Sequence, residues 1–198
     1  MKKLFFVAVM MMASISAFAQ HAPGSLTLQP RIGFSAADFN NTSDTKARVG
    51  LVVGPEFEYT ISDRFSVAGG INYSQQGAEL KDHDVTFKLD YITVPIVANV
   101  YLFKGFALKA GIQPGYNVSA KLDANGTKSD IDEDIMKSFD LAIPFGLSYE
   151  FYNFVIDARY TLGLTKIFDE KKLNQKGYDL DSKNLTFQLT LGYKFTLF

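Results

Sequence analysis

Arg48-Val49-Gly50-Leu51-Val52-Val53-Gly54-Pro55-Glu56-Phe57-Glu58-Tyr59-Thr60-Ile61 reads with a period of two. Val49, Leu51, Val53, Pro55, Phe57, Tyr59 and Ile61 fall on one face, and Arg48, Gly50, Val52, Gly54, Glu56, Glu58 and Thr60 fall on the other. Strict alternation is the signature of a β-strand with two chemically different faces. The run is far longer than the roughly 5 to 6 residues of an ordinary strand. It exceeds the roughly 9 to 11 residues with which a tilted strand crosses a bilayer.

The same pattern extends on both sides. Upstream, Leu26, Leu28, Pro30, Ile32, Phe34 and Ala36 oppose Thr27, Gln29, Arg31, Gly33 and Ser35. Downstream come Phe65 to Ser74, Val85 to Phe103, Phe106 to Lys121, Phe139 to Phe151, Phe154 to Thr165 and Leu185 to Phe198. The fourth segment changes phase: Val85, Phe87 and Leu89 alternate in one register, and Ile92, Val94, Ile96, Ala98 and Val100 in the other. A bulge near Tyr91, or an upper part outside the membrane, would account for it.

Connections alternate between long (Ala37 to Ala47, Gln75 to Asp84, Leu122 to Ser138, Lys166 to Lys183) and short (Ser62 to Arg64, Lys104 with Gly105, Tyr152 with Asn153). The fold expected is all-β: one eight-stranded, antiparallel, up-and-down transmembrane β-barrel. Four long loops lie at one end and three tight turns at the other, as in outer-membrane barrels.

Alternation alone does not separate a membrane barrel from a soluble one. The apolar face of the seven regular segments carries no charge, as a lipid-facing band requires, because a mid-bilayer Arg or Lys costs roughly 2 to 4 kcal/mol. It also carries large rings, including Phe34, Phe57, Phe145, Tyr160 and Phe187, for which an eight-stranded interior has no volume. The opposite face is rich in Gly and Ala, which suit a narrow interior. Tyr59, Phe65, Phe106, Tyr149, Phe151, Phe154 and Tyr193 gather toward the short-turn end, as an interfacial aromatic girdle would. Prolines 30, 55, 95, 114 and 144 fall inside the segments and predict local disturbance of the pairing.

The first nineteen residues differ. Lys2 and Lys3 precede the apolar run Leu4 to Met12, and Ala17-Phe18-Ala19 supplies small residues at a cleavage-site spacing. The run is too short to span a bilayer as a helix, so residues 1–19 are expected to be a secretory signal peptide and residues 20–198 the barrel domain. Removing Lys2 and Lys3 from 20 basic residues leaves 18 against 21 acidic ones, a formal net charge of -3. That balance does not point to nucleic acid. With no cysteine, neither disulfides nor thiolate chemistry is available.

On the inward face the alternation places Arg31, Arg48, Lys109, Arg159 and Lys194 with Glu56, Glu58, Asp140, Glu150 and Asp157. Five charges of each sign would nearly cancel. They are expected to form a self-neutralising ion-pair network that fills the lumen, with a narrow ion path as the alternative.

Enzymatic chemistry is poorly supplied. His21 lies in the N-terminal tail, and His83, between Asp82 and Asp84, lacks the His-x-Ser pattern of lipid A deacylases. Asp130-Ile131-Asp132-Glu133-Asp134 begins like a calcium loop, but Ile135 replaces the turn glycine and Leu141 the bidentate Glu. No cofactor, metal site or catalytic residue is expected.

Leu89-Asp90-Tyr91-Ile92-Thr93-Val94-Pro95-Ile96 followed by Gly111-Ile112-Gln113-Pro114-Gly115-Tyr116 resembles the PorT-like outer-membrane β-barrel family of Bacteroidota over essentially the whole mature chain. The resemblance implies an eight-stranded barrel. The ending is similar to a barrel-assembly signal, with Thr190, Gly192, Phe195 and Leu197 at alternating positions and Phe198 one residue past the usual aromatic terminus.

Function is therefore expected to be non-enzymatic: a barrel of the bacterial outer membrane serving envelope integrity and surface interaction through its long loops. The alternatives are a narrow ion or small-solute channel and a lipid-modifying enzyme. Short turns and termini should face the periplasm and the long loops the exterior. Expected partners are outer-membrane lipid and lipopolysaccharide, the barrel-assembly machinery through the C-terminal strand, and a surface or periplasmic protein. Intact-mass analysis of the exported protein should give a chain beginning at Gln20; retention of residues 1–19 would refute the cleavage.

Overall fold

β1 (Leu26–Phe39) and β2 (Thr45–Ser62) pair antiparallel without a slip from Leu26 opposite Tyr59 to Ala37 opposite Arg48. The computed structural model describes residues 22–40, 45–80, 85–124, 127–130, 137–167 and 182–198. The signal segment, His21, His83 and most of the acidic stretch 130–134 lie outside these residues.

The remaining strands are β3 (Phe65–Gly70), β4 (Asn72–Leu80), β5 (Val85–Thr93), β6 (Ile96–Phe103), β7 (Phe106–Ala124), β8 (Thr127–Asp130), β9 (Phe139–Phe151), β10 (Phe154–Gly163), β11 (Asn184–Tyr193) and β12 (Phe195–Thr196). β3 with β4, β5 with β6, and β11 with β12 are continuous staves interrupted at Ile71, at Val94 with Pro95, and at Lys194. Among the described residues the segments thus form eight staves, each bonded to its sequence neighbours. The ring closes where β1 pairs β11 and β12, from Thr27 opposite Thr196 to Phe39 opposite Asn184. Closure leaves no free edge in the wall.

The alternation resolves into inside and outside as the segments require. Thr27, Gln29, Arg31 and Ser35 are buried, while Ile32 and Phe34 between them are more than half exposed. Such an apolar belt exceeds anything a water-exposed monomer carries; it is a surface made for hydrocarbon. At the short-turn end the rings pack in pairs: Phe103 stacks on Phe106 at 4.8 Å, and Tyr193 meets Phe154 at 5.0 Å and Phe195 at 4.8 Å.

The fourth stave corrects the sequence reading. Leu89, Tyr91, Thr93, Val97 and Asn99 are all buried, and Ile92, Val94, Ile96 and Val100 are exposed, so the stave keeps one phase throughout. Leu89 turns inward because an apolar cluster of Phe39, Ala78, Tyr91 and Ile167 receives it at the long-loop end, flanked by Phe87 and Ala120. The irregularity lies on β7 instead. Asp90 pairs Ser119 while Tyr91 pairs Asn117, which makes Val118 the extra residue and reverses the phase of β7 beyond it, as a bulge does. Lys109 and Gln113 point inward before it, and Ala120 after it.

Two expected loops are mostly strand. β1 runs to Phe39 and β2 starts at Thr45, and β4 runs to Leu80 before β5 starts at Val85, so these connections shrink to 40–44 and 81–84. Backbone pairing needs no apolar side chains, and the ladders continue where the alternation stops. The prolines divide: Pro95 occupies a strand break, and the β7–β9 ladder omits Gly111 and Ile112, opposite Pro144 and Ile143. Pro30 and Pro55 face each other in intact register, which is tolerated where the opposed pair exchanges no hydrogen bond. Gly54 lies against the Ile71 break, where an added Cβ would sit 2.0 Å from the Ile71 carbonyl oxygen.

Leu147 is 45% exposed on the outer face. Leu147→Arg should lower stability in lipid by about 2 to 4 kcal/mol, read as loss of the heat-modifiable folded band. Leu147→Phe should leave that band intact, since it changes volume but not charge.

Candidate functional site in the barrel interior

β2 places Glu56 and Glu58 two residues apart on its inward face, and each nucleates a separate cluster. Arg159 on β10 donates through Nη2 to Glu56 Oε1 at 2.8 Å, and the same nitrogen forms an ion pair with Oε2 at 2.7 Å. The same guanidinium grips Asp157, two residues earlier on its own strand, through Nε and Nη2 at 2.8 Å each. Lys109 on β7 bridges the same two acids, at 2.6 Å to Asp157 and 3.4 Å to Glu56. Arg31 on β1 completes the group at 3.3 Å from Glu56 and donates its Nε to Asn72 at 3.2 Å. This cluster holds three cations and two anions, all 5% exposed or less.

The second cluster, nearer the short turns, has the opposite imbalance. Lys194 lies 2.9 Å from Glu58 and 2.6 Å from Glu150. Tyr101 and Ser66 each donate a hydroxyl to Glu58 Oε1 at 2.5 Å, and Asn99 donates to Ser66 at 2.9 Å. One cation thus serves two anions. Together the clusters balance four positive against four negative charges. That balance matters here, because an uncompensated charge in a narrow interior carries a large desolvation penalty.

Toward the long-loop end the filling changes character. A neutral layer follows, in which Thr186 donates to Gln76 at 3.2 Å, Gln76 to Ser74 at 3.3 Å and Gln188 to Ser74 at 3.5 Å. Asn184 donates to the Tyr91 hydroxyl at 3.2 Å, and the apolar cluster of Leu89, Tyr91 and Ile167 lies beyond.

Of the ten inward charges expected from the alternation, eight are brought together: Arg31, Lys109, Arg159, Lys194, Glu56, Glu58, Glu150 and Asp157. Arg48 and Asp140 stand apart. Arg48 is half-buried and donates to the Gln76 carbonyl, and Asp140 accepts from the Thr165 hydroxyl. Both lie toward the long-loop end, outside the two ion clusters. Sequence reasoning missed Tyr101 and Asn99, which complete the shell of Glu58. Both belong to the fourth stave, whose phase the alternation left undecided; one unbroken phase from Leu89 onward would have pointed them inward.

Chemically, every carboxylate in the two clusters is engaged by at least one cation, and the arginines cross-link strands distant in sequence. Arg159→Met should strip Glu56 and Asp157 of one of their two shared cations, leaving only Lys109 between them, and cost about 3 to 5 kcal/mol, measured by urea unfolding in lipid vesicles. Arg48→Met, outside both clusters, should cost much less.

A family model described as outer membrane protein beta-barrel domain matches residues 18–169. No curated protein sequence matches the chain. Among solved structures the chain is similar to Ail, the attachment invasion locus protein of Yersinia pestis, in complex with the heparin analogue sucrose octasulfate. That similarity has 19% identity and a TM-score of 0.56 over 87% of this chain and 99% of that one. It is also similar to Neisserial surface protein A, with 16% identity and a TM-score of 0.56 over 86% of this chain and 97% of that one. At these identities the likeness is one of fold.

Proposed function

Since the chain belongs to the outer membrane protein β-barrel domain family and lies in the bacterial outer membrane, we propose that it is a non-enzymatic barrel with a sealed lumen. It supports the envelope with its body and offers a surface for interaction at its long-loop end. The observation that carries this reading is the pair of complementary ion clusters. Arg159, Lys109 and Arg31 on Glu56 and Asp157, with Lys194 on Glu58 and Glu150, tie staves on opposite sides of the ring into a plug. Carboxylates held this way are not available as general bases.

Surface interaction is supported by the strands that outrun the lipid belt. β5, β7 and β8 continue pairing to Val85, Ala124 and Thr127, and raise a small sheet above the rim. Charges at this end are mixed: Lys88 on β5 pairs Asp123 on β7, and beside them Lys46 on β2 pairs Glu79 on β4 at 3.1 Å. This favours a protein surface or lipopolysaccharide headgroups over a polyanion such as the sulfated sugar bound to Ail.

In this reading the long-loop end faces the exterior and the short turns and both termini of the mature chain face the periplasm. Residues 1–19 are removed on export. Phe195 and Leu197, exposed on the outer face, address the chain to the barrel-assembly machinery. The motif at 89–96 and 111–116 supports PorT-like membership within the broader family.

Planar-bilayer recording tests the central claim. The wild-type barrel should give no stepwise single-channel currents, and Arg159→Met should give noisy or open-state currents as the plug loosens. Defined ion-selective currents from the wild type would refute the sealed lumen and establish the channel alternative.

A further inference from the structure

The outer surface is not uniformly convex. Ala98 on β6 pairs Ala110 on β7, Ala110 pairs Phe145 on β9, Phe145 pairs Tyr160 on β10, and Tyr160 pairs Phe187 on β11. One row of the belt therefore runs from two methyl groups straight into three rings. Ala158 adds a third small residue beside the rings, and the result is a groove of about 610 Å³ on the outer face. Phe145 and Tyr160 stand 5.5 Å apart, centroid to centroid, as its wall.

Depth matters to what fills it. Ala98 and Ala110 lie only a few residues from the short turn at Lys104 and Gly105, about halfway along a membrane strand of roughly 9 to 11 residues. The groove thus opens into the hydrocarbon, below the headgroups and away from the aromatic girdle. Its volume falls within the roughly 300 to 1,000 Å³ typical of ligand clefts. The eleven residues lining it are far fewer than the roughly 20 to 30 per side of a stable protein–protein contact, which argues against a second barrel as occupant.

We propose that this groove is a binding site for a single lipid acyl chain, held in contact with the barrel in preference to the surrounding lipid. Hydrophobicity gives no preference here, because lipid tails are as apolar as the wall. Preference comes from shape. A chain lying in a concave floor between rigid rings touches protein atoms on several sides, whereas one against the convex belt touches them on one side, and dispersion contacts accumulate with their number. The rings lose little freedom in forming that wall, since aromatic side chains turn about only two torsions.

Photo-crosslinking tests the site. The full barrel is reconstituted in phosphatidylcholine nanodiscs doped with a phosphatidylcholine that carries a mid-chain diazirine, and adducts are mapped by mass spectrometry. The expected result is a several-fold higher adduct yield on the groove residues than on Leu51 and Val53 of β2, exposed outer-face residues on a strand that pairs with none of the groove strands. Ala110→Phe, which fills the floor, should bring the two yields level while the folded band persists. Ala158→Leu serves as an independent filling variant should Ala110→Phe fail to fold, and the wild-type distribution is itself a measurement. Even labelling around the belt, labelling unchanged by a filling variant, or barrel-to-barrel crosslinks at the groove would each overturn the proposal.

Discussion

In hydrocarbon a backbone N–H or C=O has no water to turn to, and each one left unpaired costs several kcal/mol. A sheet that crosses a bilayer must therefore close on itself. Here closure falls on β1, which pairs β2 on one side and β11 with β12 on the other without a change of register. The remaining architecture follows from it. Eight staves around so tight a ring leave an interior wide enough for side chains alone. Large rings are forced outward into lipid, where they are favourable, and inward positions go to small residues or to polar side chains that can saturate one another.

The interior solves that last problem with charge. Placing four cations and four anions in a space this narrow is favourable only if each finds partners. The geometry achieves this by giving each cluster an imbalance that the other cancels. Glu56 and Glu58, neighbours on one face of β2, anchor both clusters. Arg159 joins acids from its own strand and from β2, one stave past the seam where the ring closes. Such contacts bind the closed ring as a unit, because opening any seam would strand a charge. The neutral and apolar layers above show where this stops: near the long-loop end Phe39, Leu89 and Ile167 exclude water without ionic contacts.

Irregularities in the wall have separable causes. Proline interrupts the ladder at Pro95 and opposite Pro144; Pro30 and Pro55 oppose each other in an intact β1–β2 ladder, but on their other sides they face the breaks at Lys194 and Ile71. The Val118 bulge moves β7 from one phase to the other just where the barrel ends and the protruding sheet begins. The groove at Ala98 and Ala110 needs no irregularity. It arises because register sets two alanines beside three rings in one row.

Alternation by itself determined the fold. A period of two over stretches longer than a water-soluble strand needs, one face without charge and rich in rings, and connections alternating long and short leave little besides an eight-stranded membrane meander. These are local properties, and a strand's faces are set by its own backbone. What alternation could not determine was any relation between strands. It put Arg31, Lys109, Arg159 and Glu56 on inward faces but could not say that they meet, since the partners lie up to 103 residues apart and contact depends on register summed around the ring. It misplaced the phase change because Leu89 looks lipid-facing when read alone, and only the cluster that receives it, assembled from three other staves and a loop, makes the inside apolar at that level. It left Tyr101 and Asn99 unassigned for the same reason. Charge pairing, the bulge on β7 and the groove in the belt are all products of register, and register exists only once the ring has closed.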